Sequence, residues 1–278
     1  MKASELLERY RAGERNFCQV NLANADLRQA NLCEINLTRA NLVKVNLAGA
    51  TLGGATFSQA FMNQATLTGA NLIGAHLEET CLHEAFLSDT NLQGANLQGA
   101  NLSDSNLNES ILNHANLRGA CLSRAKLINA SMHHAILEYA NLTHAILNGA
   151  MLQQAKLAHS ILAQCTLENA DLEQADLSQA ILMGASLRRT ILREASLRST
   201  NLMGVSFRSA DLHGATLYRA QMCWTNFTQA DLSEAVLMDT DFTLSNLSEA
   251  NLEGASVTGA QFPNGFDVNL LRQYRELG

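Results

Sequence analysis

The sequence predicts a solenoid built from short extended segments and tight corners, on three observations. From Phe17 to Phe262 an apolar residue recurs at every fifth position, fifty times without an insertion, and forty of the fifty are Leu. A small residue stands two places before nearly every one of them, Ala in thirty-four cases. The composition is 47% hydrophobic with 5% aromatic residues and a single proline, so the core consists of many small aliphatic pieces. An unbroken internal period of this kind overrides any domain count based on length alone.

No regular element carries such a period. A helix advances about 100° per residue, so a repeat of five would spread the leucines around its circumference. A straight strand alternates sides at each residue, and an odd repeat would send successive leucines in and out. In Ala95-Asn96-Leu97-Gln98-Gly99-Ala100-Asn101-Leu102 the Ala and the Leu of each unit are two apart and share a side, as in a short strand. The remaining three-residue step turns a corner. Repetition winds the chain around an apolar interior, with small residues where neighbouring sides crowd.

With these units the chain resembles the pentapeptide-repeat family over residues 17–262. The resemblance implies an all-β solenoid: a right-handed, four-sided β-helix with four units, hence twenty residues, per coil. Fifty units then make about 12 coils, a rod roughly 60 Å long at about 4.8 Å per coil. Leu22, Leu42, Met62 and Leu82 would form one interior column, with stability accruing between neighbouring coils. Arg15 and Ile35 depart from the small-residue position, which marks the first coil as irregular. Asn or Asp precedes the Leu in about half of the units. Such side chains partner backbone groups at corners, and their repetition points to scaffold and away from a catalytic carboxylate set.

Residues 1–16 fall outside the register and read as an N-terminal helical cap. Ser4 is the expected N-cap, Leu6, Leu7 and Tyr10 share one side, and Gly13 ends the helix. A cap of this kind covers the unpaired backbone of an open coil. Leu6-Leu7-Glu8-Arg9-Tyr10 followed by Gly13-Glu14-Arg15-Asn16-Phe17 looks like the opening segment of pentapeptide-repeat proteins from cyanobacteria. At the other end Pro263-Asn264-Gly265 stops the array, since proline lacks the N–H another coil needs. Residues 263–278 then read as a turn and a short helix started by Asp267, with Val268, Leu271 and Tyr274 on one side. That tail either caps the last coil or pairs two copies, so the protein is expected to be a monomer or a tail-to-tail dimer.

Charge is uneven along the chain, with a net of −7 that argues against a general nucleic-acid binder. Residues 17–112 hold Arg28, Arg39 and Lys44 against eight carboxylates, a solvated face or a docking patch. Residues 113–225 hold ten basic and seven acidic residues, and residues 226–262 hold six carboxylates with no Lys or Arg. No stretch approaches the ~20 apolar residues of a membrane helix, and the first residues lack the apolar run of a secretory signal, so a cytoplasmic protein is expected. The six cysteines show no metal-type spacing. His114 and His134 should stack, with His133 adjacent, but no third ligand completes a metal set. No cofactor is expected.

Apolar residues at outward positions are the informative ones. Phe61, Phe86, Ile111, Ile136 and Ile161 recur every twenty-five residues and would trace a diagonal thread, a spacing that segment duplication also explains. Ile161, Ile181, Met183, Met203 and Trp224 instead fall on one side of consecutive coils, as a partner surface would. Arg188, Arg189, Arg193 and Arg208, with Arg198, lie within about one coil and suit a phosphate or an acidic protein. These nine residues apart from Arg198 form the candidate partner-binding set.

The sequence holds no nucleotide loop, no G-x-S-x-G elbow and no H-E-x-x-H, and a filled coil offers no cleft, so no enzyme activity is expected. The first functional reading is a non-catalytic, regulatory scaffold that holds a partner protein and takes no small-molecule substrate, nucleic acid or membrane. The alternative, drawn from family members that protect DNA gyrase, is mimicry of duplex DNA. A duplex carries one charge per about 1.7 Å, on the order of 35 over such a rod, against the net −7 here.

Overall fold

The computed structural model describes residues 1–266, and the chain divides into two compact units, Met1–Asn141 and Leu142–Gly278. The tail helix expected from Asp267, Val268, Leu271 and Tyr274 lies outside the described residues.

Unit 1 opens with one helix, α1 (Ala3–Arg11). The expected cap by Ser4 is corrected: Lys2 stands at the N-cap in an extended conformation with no side-chain cap bond. The Met1 amine is tied to the Asn21 carbonyl at 3.1 Å, and the Leu6 N–H donates to Lys2 at 3.1 Å. That anchor starts the helix before Ser4, whose hydroxyl is left within the first turn. Beyond Arg11 the Gly13 N–H reaches the Tyr10 carbonyl, and Gly13 adopts φ +100, a region open to glycine. Leu6 is fully buried, and the Tyr10 hydroxyl donates to the Cys33 carbonyl at 2.9 Å, which lays α1 on the first coil. Arg15, in a position where the array usually has Ala, turns outward and sets its guanidinium 4.0 Å from the Tyr10 ring centroid.

From Asn16 onward each unit is a coil of single-residue parallel bridges. In unit 1 Asn16, Asn21, Asp26 and Asn31 pair with Asn36, Asn41, Asn46 and Thr51, each twenty residues on, so four bridges make one turn. Unit 2 repeats the register, as in Ile161 with Ile181 and Ile181 with Asn201. The bridging residue is the one before each interior Leu.

The five-residue unit accounts for all five of its own amides. In Asn96–Ala100 the Asn96 N–H donates to Ala75 one coil back at 2.9 Å. Leu97 and Gly99 donate to Asn116 and Arg118 one coil on, at 2.7 and 3.0 Å, and Ala100 closes the turn on the Leu97 carbonyl at 3.0 Å. The fifth amide, Gln98, goes to the Asn96 Oδ1 at 3.3 Å. This is the role of the recurrent Asn and Asp: the side chain supplies the acceptor that no neighbouring coil offers. Where Lys126, Ser131 and Thr166 replace it, Asn108, Asn113 and Asn148 supply Oδ1 from the adjacent coil at 2.9, 3.0 and 3.1 Å. The third turn residue has positive φ at every corner from 19 to 259, and thirty-six of those residues are not glycine. Each carries a left-handed cost of about 1–2 kcal/mol, and most donate their N–H to the next coil, as Gln59 does to Glu78 at 2.8 Å.

The interior is filled by the Leu and small-residue positions, nearly all at 0–2% exposure. Ile35 is one of them, so the departure at that position is absorbed as core. Where Ser or Thr replaces Ala, the hydroxyl finds a main-chain carbonyl: Ser105 to Leu102 at 2.6 Å, Thr200 to Leu197 at 2.6 Å, Thr80 to Phe57 at 2.9 Å. Burial without such a bond would cost about 1–3 kcal/mol per group. Cys165 shares this position, and burial pushes its thiol up to about 12, which leaves it an inert core residue. Toward the end of unit 2 the Leu gives way to a phenylalanine ladder. Phe207 and Phe227 stack at 5.1 Å, Phe242 and Phe262 at 5.2 Å, and Phe266 closes on Phe262 at 4.7 Å.

Candidate partner-binding surface

In unit 2 the bridges order the outward columns. One runs Ile161, Ile181, Asn201, Gln221, Asp241, and the next side runs Thr166, Ser186, Ser206, Asn226, Asn246. The corner between them carries the residues that follow Leu182, Leu202, Met222 and Phe242. Met183 and Met203 are the second residues of their turns, and Trp224 is the third residue of its own. Ile161, Ile181, Met183, Met203 and Trp224 are all exposed and share this side and its corner. The apolar set is therefore brought together.

One residue belongs with it that sequence reasoning passed over. Leu244 sits twenty residues after Trp224, in the same turn position, and the two are 60% and 67% exposed. Gly184 and Gly204 occupy that position in the two preceding coils, so Trp224 rises beside a bare strip. The signal was available in the sequence: both large side chains stand at corner positions held by polar residues or Gly nearly everywhere else. Trp224 and Leu244 hold φ +63 and +59 and gain almost no burial in return. Beside them Asp241 accepts the Thr243 hydroxyl at 2.5 Å and the Cys223 thiol at 3.0 Å, and both bonds lower its pKa. The same bond raises the Cys223 thiol, which stays protonated.

The arginines divide. Arg188 and Arg208 follow Leu187 and Phe207, one coil apart, and Arg189 adjoins Arg188. With Glu168, Asn169, Ser209 and Gln229 they line a polar cavity of about 340 Å³. Arg193 stands on the following side and is paired with Asp211 at 2.5 Å, which raises its pKa further. Arg198 is a side further on. The apolar corner and the Arg188–Arg208 corner thus border one side of unit 2, whose floor is Thr166, Ser186, Ser206 and Asn226.

The remaining candidates are placed as follows. His114 and His134 stack with centroids 4.8 Å apart and ring planes 8° apart. Parallel rings aim their nitrogens in separate planes, so the pair does not converge on one ion, and no group of three or more possible ligands occurs among the described residues. Cys81 and Cys121 each bridge to Asn101, two coils apart, and both are free. Phe61, Phe86 and Ile111 are exposed singly on successive sides. The expectation of no hollow at all is corrected in unit 1. Where α1 overhangs the coil, a groove of about 960 Å³ opens among Leu7, Tyr10, Arg11, Asp26 and Arg28. Its acid, Asp26, has its pKa lowered by the Arg28 guanidinium, which makes the carboxylate a weaker proton acceptor. No helix among the described residues is long and apolar enough to cross a membrane.

Comparison with protein families finds one model, described as pentapeptide repeats. It matches in eight copies over residues 16–54, 52–89, 85–124, 125–164, 150–189, 160–198, 190–229 and 225–264. Comparison with curated proteins gave no match. Among solved structures the chain is similar to HetL of Nostoc sp. strain PCC 7120, a pentapeptide repeat protein involved in heterocyst differentiation regulation. The two are 31% identical over 96% of this chain and 99% of that one, with a TM-score of 0.42. A pentapeptide repeat protein of the Arabidopsis thaliana thylakoid lumen is 28% identical over 36% of this chain and 69% of its own, TM-score 0.33. QnrB1, a plasmid-mediated fluoroquinolone resistance protein, is 15% identical over 94% of this chain and 100% of its own, TM-score 0.27.

Proposed function

Because the chain belongs to the pentapeptide-repeat family, whose members fold as right-handed four-sided β-helices, we propose that it is a non-catalytic, regulatory scaffold that holds a partner protein. The contact surface in this reading is the side of unit 2 between the Ile161–Trp224 corner and the Arg188–Arg208 corner. One observation carries it. Trp224 and Leu244 accept left-handed backbone at a cost of about 1–2 kcal/mol each and remain solvent-exposed. The Trp224 N–H keeps its bond to the Thr243 carbonyl at 3.2 Å, but the two side chains bury almost nothing within their own coils; burial of a tryptophan and a leucine against a partner would add what the corner itself does not supply. Tryptophan and arginine are also the residues that dominate binding energy at protein interfaces.

The test replaces Met183 and Met203 by Glu, two exposed positions where the coil tolerates charge. The double variant should keep the circular dichroism spectrum of the parent and lose the partner captured by the parent from a lysate of the source organism, with affinity at least about tenfold weaker. Undiminished capture would remove this surface from consideration.

Duplex mimicry is the second reading, and one side of unit 2 favours it. Asp171, Glu173, Glu194, Asp211, Asp231, Glu234 and Glu253 share a side with Arg193, seven carboxylates less one guanidinium. Five coil levels span about 20 Å, over which a duplex carries about 12 charges. The side therefore reaches about half the duplex density, which places this reading behind the first. A stoichiometric excess of the protein is expected to leave DNA gyrase supercoiling unchanged; protection of the enzyme against a cleavage-stabilising drug would reverse the order.

A further inference from the structure

We infer that the cavity between Arg188, Arg189 and Arg208 is a binding site for a phosphomonoester dianion. The inference deepens the partner reading by giving the chemistry of one contact.

Four other arginines of the coils are each paired with a carboxylate one coil away. Arg124 takes Asp104 at 2.6 Å, Arg193 takes Asp211 at 2.5 Å, Arg219 lies 3.6 Å from Asp239, and Arg118 is bonded to Glu138. Arg188, Arg189 and Arg208 enter no ion pair among the described residues, although their stems leave the coil within one coil spacing of about 4.8 Å. The one acid lining the cavity is Glu168, and its Oε1 already accepts the Ser186 hydroxyl at 2.8 Å. Arg188 has only a long contact, 3.4 Å from its Nε to the Ser206 Oγ. Three like charges are thus held together with no acid paired to any of them among the described residues, an arrangement relieved by an anion.

Donor count and charge select the anion. Each guanidinium presents five N–H groups in a planar fork, and the Ser209 hydroxyl, which donates to the Gln229 Oε1 at a long 3.4 Å, lies at the cavity wall. A single carboxylate has two oxygens and is satisfied by one fork. A phosphomonoester has three terminal oxygens and a charge near −2, and it can engage two forks at once. The volume of about 340 Å³ is at the small end of ligand pockets, enough for the phosphate and the first atoms of its ester stem. A nucleic-acid backbone fits less well, because it needs a basic track, and the neighbouring side carries Glu173 and Glu194.

The experiment is a calorimetric titration of the full chain, at constant ionic strength in a phosphate-free buffer. The probes are inorganic phosphate, O-phosphoserine, a phosphoserine peptide and a single-stranded oligodeoxynucleotide. One saturable site is expected for the phosphate-bearing probes. Binding should fall at least about tenfold in R188A/R208A and remain unchanged in R198A, with melting of both variants matching the parent. Tighter binding of phosphoserine or the peptide than of phosphate identifies an esterified ligand; equal binding identifies the free ion. Either result supports the site. No saturable binding, equal binding in R188A/R208A, or preference for the oligonucleotide overturns it. The titration needs no partner, so its failure leaves the capture test of M183E/M203E standing, and the reverse also holds.

Discussion

Leu107→Asp is expected to remove the ordered structure of the coils around it, whereas Leu22→Asp should damage only the first coil. Leu107 is fully buried, with Leu87 and Leu127 one coil to either side and equally buried. Its carbonyl accepts the Ser110 hydroxyl at 2.7 Å, so the main chain at this point also serves the core. The substitution removes about 2–5 kcal/mol of packing and adds several kcal/mol for a carboxylate with no counter-charge and no route to water. Together these approach the whole stability of a domain, about 5–15 kcal/mol. Leu22 has the same burial, but Val20, Ala25 and Ala30 around it are partly exposed. A carboxylate there can turn toward solvent beside α1, and the loss should stay near the packing figure. In a nearest-neighbour array the damage spreads from the break. Hydrogen exchange reads this directly: protection should vanish across the coils of 87–127 in the first variant and only near 17–36 in the second. Equal and local losses would show that the columns do not share their stability.

Phe227→Ala should cost about 3–5 kcal/mol, and Phe227→Leu less than about 1.5 kcal/mol. Phe227 is fully buried, stacks on Phe207 with planes 9° apart, and meets Phe242 at 5.7 Å with a 59° tilt. Truncation to Ala empties the middle of that ladder and leaves Phe207 without its stacked ring, while Phe242 keeps Phe262. Leu restores the residue that the array uses almost everywhere and recovers most of the volume. Urea midpoints of the two variants separate the outcomes. If both lose the same amount, the aromatic ladder contributes by ring contact and not by volume.

Much of the coil was readable because its signal is redundant. Leu97 and Ala95 point inward for the same reason as every other pair in the array, so no single residue had to be interpreted. What escaped depended on distances between coils or on local competition. Arg193 looked like a member of the arginine cluster until the twenty-residue register set it beside Asp211, eighteen positions on. Leu244 was missed because it occupies a corner position usually held by polar residues, and its meaning appears only when Trp224 stands in the same column. Ser4 satisfies every rule for an N-cap, yet the Met1 amine on Asn21 starts the helix earlier. The groove beside α1 could not be foreseen, since it arises from how far a helix overhangs and not from the repeat.

The register of bridges, each joining residues twenty apart, restricts how such a gene can grow or shrink. A single added codon that does not bulge out at a corner would rotate every later leucine out of its column, and the array from Phe17 to Phe262 carries none. Copies of whole multiples of five pass unnoticed by the core, and copies of twenty restore every face as well. A block of twenty-five keeps the interior but carries its surface markings one face around, the displacement traced by Phe61, Phe86, Ile111 and Ile136. Lineages of this protein should therefore differ in length by steps of five residues, with their outer faces rotated or preserved according to the size of the step.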